Sequence, residues 1–337
     1  MTILLGIFLF GVLIFVHELG HFLTAKLFGI RVHDFSVGMG PAIWKKERGG
    51  TKYALRILPV GGFVKLEGED EASEDPAAFG NKSPLARILV LLSGGLMNIV
   101  AGFLIFLILF SAIGQIGVPM VDSVVPGTPA AEAGLMAGDE IIEINGKSVH
   151  IQNDVTLAMM KNGSDTLEMT VRRGDEKRSF AVTPRYDAES GSYILGYYRK
   201  AEEMTPGLAI KTAYHNTFFV VDLVYYSLRE MVTGNVSLRD MSGPVGIVSE
   251  MNSVAKSETP VLNMLNFIGL IAVNLGVMNL LPIPALDGGR IFFILVEMIR
   301  RKPIKPEHEG IVHFIGFALL ILLMCIITFS DIQKIFA

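Results

Sequence analysis

A polytopic α-helical membrane protein is the fold class predicted by this sequence, and three observations predict it. Hydrophobic residues make up 51% of its 337 residues against 18% charged, more apolar material than one soluble core of that length needs. Four apolar runs, Ile3–Phe28, Arg87–Ile113, Val261–Leu281 and Ile311–Phe329, are each long enough to cross a bilayer as a helix. Lys and Arg gather on one side of those runs. None precedes the first span, Lys26 and Arg31 follow it, Arg87 opens the second, and Arg290, Arg300, Arg301, Lys302 and Lys305 follow the third. The positive-inside rule then puts the N-terminus, the long segment after the second span and the C-terminus outside the cytoplasm.

The same composition narrows the partners. A net charge of -4 gives no basis for a nucleic-acid partner, so the expected surroundings are the lipid bilayer. The single cysteine, Cys325, rules out an intrachain disulfide framework and a cysteine zinc cage. The first apolar run has neither a basic lead nor a small-residue cleavage site and reads as a retained span rather than a signal peptide.

Taken in order, residues 1–34 hold the first transmembrane helix, and 35–86 form a cytoplasmic-side loop with several Gly and two strand-like pieces. Thr51–Leu58 and Gly62–Glu67 are expected to pair with each other as a membrane-associated β-hairpin, although an ordinary connector fits the pattern as well. Residues 87–115 carry the second span. From 116 to 186 the pattern changes to a strand, a Pro-Gly turn, a short Ala-rich helix and further alternating strands around "RRGDEK", which makes a small α/β domain. Residues 187–260 are expected to form an interfacial amphipathic helical region. "TFFVVDLVYYSL" (217–228) within it is apolar enough to suggest a fifth span, but Asp222 sits at its centre, with Lys211, His215 and Arg229 around it. A crossing there would also put Asp287 on the opposite membrane face from His17. The third span with its broken end occupies 261–300, and 301–337 the fourth span and tail.

The chemistry lies in "VHELGH". His17 and His21 are one helical turn apart and can reach one metal ion, with Glu18 beside them as a general base. Ionisable groups at turn spacing inside a span are costly unless they coordinate, pair or face water. A helix–helix hydrogen bond is the simpler alternative for a lone intramembrane histidine. A catalytic zinc keeps three protein ligands and one open position, so a third ligand must come from elsewhere. Asp287, in "NLLPIPALDGG", is the best candidate: Pro282 and Pro284 stop the helix, and Gly288 and Gly289 tolerate close approach. Broken backbone at membrane depth is tolerated where it is buried in protein or lines a water-filled cavity. The alternative for Asp287 is a plain helix cap, and His313 is a second choice of ligand. His17 to Lys26 is about 14 Å of helix, which puts the site inside the membrane toward the cytoplasm.

Two resemblances add to this reading. "PGTPAAEAGLMAGDEIIEINGKSV" resembles a bacterial PDZ domain, which implies an extracytoplasmic α/β PDZ-like domain that binds C-terminal peptides by strand addition. A structural cap is the alternative, and "IGVPMV" (116–121) is a weak candidate for the carboxylate loop. Over essentially the whole chain, "HELGH", "SGGLMN", the PDZ-like stretch, "SGPVGI" and "NLLPIPALDGG" together resemble the site-2 protease family, closest to its single-PDZ bacterial branch. That resemblance implies one Zn2+ per chain on His17, His21 and Asp287, with Glu18 as catalytic acid/base. It also implies that Gly94 and Asn98 face the site and that Asn279 and Pro282 help position substrate. The implied activity is regulated intramembrane proteolysis in a bacterial cell membrane. Its implied substrates are single-span membrane proteins such as anti-sigma factors or signal-peptide remnants, admitted after their outer part has been shortened. A divalent-metal carrier or a catalytically silent PDZ scaffold are the rival classes. Neither gives Glu18 a base role.

Overall fold

Long apolar helices alternate with Gly-punctuated strands along the chain. The computed structural model describes residues 2–69, 71, 73–188, 191–237, 241–302, 304 and 306–336, so Lys305, used above for orientation, lies outside the described residues. Helix α1 (Thr2–Leu27) leads into strands β1 (Val32–Arg48) and β2 (Thr51–Leu66) and then α2 (Pro84–Ala112). A β-rich stretch follows: β3 (Gln115–Val124), α3 (Pro129–Glu132), β4 (Glu140–Ile144), β5 (Lys147–Ser148), α4 (Gln152–Asn162), β6 (Leu167–Arg173), β7 (Glu176–Val182), β8 (Arg185–Asp187), β9 (Ser192–Ile194) and β10 (Tyr197–Glu203). Helices α5 (Pro206–Val232), α6 (Pro244–Ala255), α7 (Pro260–Asn279), α8 (Asp287–Arg300) and α9 (Pro306–Phe336) complete it. The chain forms two units, 1–105 with 229–337, and 106–228.

Among the described residues, four helices are long and apolar enough to cross a membrane: Gly6–Leu27, Pro84–Ala112, Pro260–Asn279 and Glu307–Lys334. They coincide with the four predicted spans, and α5 does not join them. A minority of each span is buried inside the protein, as helices facing lipid rather than a protein core require.

In the first unit the spans meet through small residues. A Cβ on Gly20 of α1 would come within 2.4 Å of the Ser93 carbonyl oxygen of α2. On the other flank of α2, Gly95 and Gly102 lie against the carbonyls of Gly276 and Gly269 on α7. Such seams let membrane helices approach closely where no hydrophobic driving force separates helix from lipid. The "SGPVGI" motif starts α6. Its Gly243 and Gly246 amides both donate to Asp331 Oδ2 of α9 at 2.8 Å, so a buried carboxylate holds the positive end of that helix.

The predicted hairpin is corrected. Thr51–Leu58 and most of Gly62–Glu67 belong to one strand, β2, and both pieces pair with β1 rather than with each other. Ser36 is register partner to both Phe63 and Ala54, which places the start of β1 between the two pieces. Alternating apolar residues fit either arrangement, and a one-sequence pattern cannot choose the partner.

The second unit is a sheet of order β10-β3-β4-β6-β7, with β5 paired to β4. Strand β6 buries Leu167, Met169 and Val171 on one face while Glu168 and Arg172 point outward, the period-two pattern of a half-buried strand. Ala130, Ile141, Ile144, Val155, Val182 and Leu195 complete this core. Beneath it, fully buried Asp139 receives Arg173 Nε and Nη2 at 2.7 Å each and the Met136 amide at 2.9 Å. Burial opposes ionisation of Asp139, but the Arg173 bonds prevail and hold its carboxyl below the usual range.

Two expectations about this unit change. Strand β10 pairs with β3, so the sheet runs to Glu203 instead of ending at 186, and helical structure begins only at Pro206. Residues 116–121, the weak candidate for a carboxylate loop, lie inside strand β3 instead of a loop, paired with β10 on one side and with β4 at Met120 on the other. The polar, irregular composition of 187–203 hid a strand whose partner lies about 80 residues earlier in the chain.

Candidate metal centre

Unbroken helical backbone from Thr2 to Leu27 puts His17 and His21 on one face, as their spacing requires. His21 Nδ1–H donates to the Val90 carbonyl of α2 at 2.8 Å, which turns Nε2 and its lone pair toward the neighbouring ligand atoms. His21 Nε2 lies 3.1 Å from His17 Nε2. Gly94 makes that geometry possible, since a Cβ there would sit 2.4 Å from His21 Nε2 and 2.7 Å from His17 Cε1.

The third member arrives from the other end of the chain. Helix α7 stops at Asn279, the backbone turns through Pro282 and Pro284, and α8 starts at Asp287. Leu286 rather than Asp287 holds the capping position, so Asp287 is not a plain cap. Its Oδ2 lies 3.2 Å from His17 Nε2 and 3.3 Å from His21 Nε2. Gly288 and Gly289 are needed for this close turn: a Cβ on either would fall 2.2–2.4 Å from the carbonyl oxygens of Leu281, Leu280 or Ile283.

The residues fit a metal ion. Tetrahedral zinc with ligand bonds of about 2.0–2.1 Å implies ligand–ligand edges of about 3.3–3.4 Å, close to the separations found. Asp287 Oδ2 is also buried without a hydrogen-bond partner among the described residues, despite two nitrogens nearby. An acceptor so placed suits a cation. Among the described residues, His17, His21 and Asp287 form the one cluster of this kind. Glu18 lies beside it, close to both histidines and to the Val64 backbone of β2.

A sequence model of peptidase family M50 matches residues 5–323. The chain belongs to peptidase family M50. The zinc metalloprotease RasP of Geobacillus kaustophilus is 30% identical to the M50 chain, covering 99% of it and 98% of the relative. The regulator of sigma-W protease RasP of Bacillus subtilis is 31% identical, covering 99% of each. A Clostridium acetobutylicum relative reaches 38% over 98% of the M50 chain and 97% of its own length. The site-2 protease resemblance is thereby borne out.

The other expected residues of this M50 chain are spread around the centre. Asn98 is buried on α2, one turn past Gly94, and its Oδ1 has no hydrogen-bond partner among the described residues. Asn279 closes α7, and Pro282 is exposed in the loop that follows. His313 does not join the cluster; its Nδ1 accepts from the Ala285 amide at 2.8 Å. Two contributors were not legible beforehand. The Val90 carbonyl leaves no side-chain signal. Gly62, whose Cβ would lie 3.3 Å from Glu18 Cγ, looked like one loop glycine among several.

Proposed function

We propose that this M50 peptidase is a zinc-dependent bacterial membrane metalloprotease that hydrolyses peptide bonds within transmembrane segments of membrane-protein substrates. His17, His21 and Asp287 hold the zinc, and Glu18 is the general base and acid. The observation that carries this is the set of three donor atoms 3.1–3.3 Å apart, joined by two spans and a broken helix, with a carboxylate at the next position.

Zinc held by His17, His21 and Asp287 would supply Lewis acidity, polarising the scissile carbonyl and making the attacking water more acidic. Glu18 accepts the proton from the attacking water and later delivers it to the departing amine nitrogen. His21, held by Val90, keeps its ring orientation throughout. Gly62 leaves room in front of Glu18, and the 62–66 piece of β2 pairs with β1 on one edge. A substrate helix must unwind to expose a carbonyl, and each freed backbone group in lipid costs several kcal/mol unless re-paired. The other edge of that strand, with Asn98, Asn279 and Pro282, gives an unwound single-span substrate its new partners.

The basic flanks Lys26, Arg31, Arg87, Arg290 and Arg300 support a cytoplasm-facing site, with the N-terminus, the sheet-rich unit and the C-terminus extracytoplasmic. That unit reads as one PDZ-like domain spanning 115–203. Its β10 edge, which no described strand covers, is where a peptide would add. By likeness to the sigma-W regulator, membrane-bound regulators of transcription are the substrate class.

Purified protein and its Glu18→Gln variant, assayed for zinc content and for cleavage of a single-span substrate, test the reading. Retained zinc with lost cleavage is expected. Equal cleavage by both would remove Glu18 from the mechanism, and zinc flux across vesicles without cleavage would favour a carrier.

A further inference from the structure

We propose that His313 of α9 is a positioning residue for the metal centre: it holds the turn that aims Asp287. The proposal rests on Asp287 being a zinc ligand and adds a residue from a helix that contributes no ligand.

Ala285, two residues before Asp287, has φ +78°, a left-handed conformation that L residues with a side chain rarely adopt. Such a turn persists when its surroundings over-determine it. Here the surroundings are one face of α9. The Ala285 N–H donates to His313 Nδ1 at 2.8 Å, and three residues on, Gly316 meets the preceding Pro284. A Cβ at Gly316 would sit 2.4 Å from Pro284 Cβ and 2.8 Å from its carbonyl oxygen, so the helix face is shaped to this loop. The Phe293 ring of α8, centred 5.6 Å from the imidazole, packs against it from the helix that Asp287 begins.

The bond also selects a tautomer. Nδ1 accepts, so the ring proton of neutral His313 is on Nε2, 3.8 Å from Glu309 Oε1 one turn earlier. Ligand, turn, histidine and carboxylate form one chain of contacts running from the metal centre into the fourth span. Among the described residues Asp287 Oδ2 makes no hydrogen bond that would hold it, whereas His21 has the Val90 carbonyl. Backbone control through Ala285 does for Asp287 what Val90 does for His21.

Removing a group that orients a ligand typically weakens metal binding about 10–100-fold. In detergent-solubilised full-length protein, zinc affinity by chelator competition should fall by that amount in His313→Leu, and the absorption bands of the cobalt-substituted form should shift. The kcat should fall with KM little changed. His313→Asn, which keeps an acceptor near the Nδ1 position, should stay close to wild type. Ala285→Gly removes the cost of the left-handed turn, so His313→Leu combined with Ala285→Gly should regain much of the lost affinity. If His313→Leu fails to fold, the double variant and His313→Asn carry the same comparison. Wild-type zinc affinity and cobalt bands in His313→Leu would overturn the proposal while leaving the zinc reading intact. Failure of Ala285→Gly to restore any affinity would equally overturn it. A wild-type protein that takes up neither zinc nor cobalt would overturn both.

Discussion

The two halves of the candidate metal centre are built in opposite ways. His17 and His21 stand on uninterrupted helix, where backbone hydrogen bonds fix their separation and Gly20 and Gly94 seat that helix against α2. Asp287 comes from a break between α7 and α8, with a left-handed Ala285 and two glycines pressed against carbonyl oxygens. A helix places ligands by its own period; a broken helix places one only through its neighbours. The difference teaches where each half is vulnerable: the helical half at the two histidines themselves, the loop half at residues outside the cluster.

The largest expected effect is on the helical half. Glu18→Gln should lower kcat by about 10²–10⁴-fold while the protein keeps its zinc, measured by substrate cleavage beside metal analysis. Parallel loss of zinc would mean that Glu18 belongs to the ligand set instead.

Next comes the loop half. Gly288→Ala pushes a methyl group toward the Leu280 and Leu281 carbonyls, which are backbone atoms and cannot swing away. Zinc affinity should fall about 10–100-fold, with the spans still folded by circular dichroism. Unchanged affinity would show a looser loop than its contacts imply.

A smaller effect is expected where β2 meets Glu18. Gly62→Val adds atoms beside Glu18 Cγ and the Ser36 carbonyl. Cleavage should fall about 10-fold with zinc content unaltered, because the substrate and base are displaced rather than the ligands. The smallest effect on zinc binding should come from the other unit. Asp139→Asn breaks the pair between buried Asp139 and partly exposed Arg173 and should destabilise the sheet by about 3 kcal/mol without altering zinc affinity. Because the folded Asp139 carboxyl titrates below its unfolded value, its contribution is present above about pH 4. It is lost as the pH falls through the lower folded pKa. Melting curves of the intact protein from pH 7 down to 3 should reveal this in wild type and not in Asp139→Asn.

Legibility followed the range of the interactions. The four spans could be read because bilayer thickness sets a length and an apolar demand that each segment meets alone. The His17/His21 pair was legible for a similar reason, since one turn of helix is a local rule. Asp287 could be nominated from Pro and Gly punctuation. Strand partners were another matter: the two pieces of β2 look like a hairpin, and β10 reads as part of a connector. Nothing in 187–203 announces a partner at 115–124. His313 reads from the sequence as a second choice of ligand, but its Nδ1 accepts from a backbone amide instead.

By itself the sequence determined that the chain has four helices long and apolar enough to cross a membrane, that two histidines one helical turn apart lie within the first of them, and that the backbone breaks before Asp287. Periodicity, hydrophobic length and the covalent limits of Pro and Gly act within a few residues and need no fold. Tertiary structure alone decided that Val90 orients His21, that Gly62 and Val64 border Glu18, and that α9 closes over the Ala285 turn. Those are hydrogen bonds and contacts between segments remote in sequence, several made by backbone atoms that every residue carries. Only the folded chain brings them together.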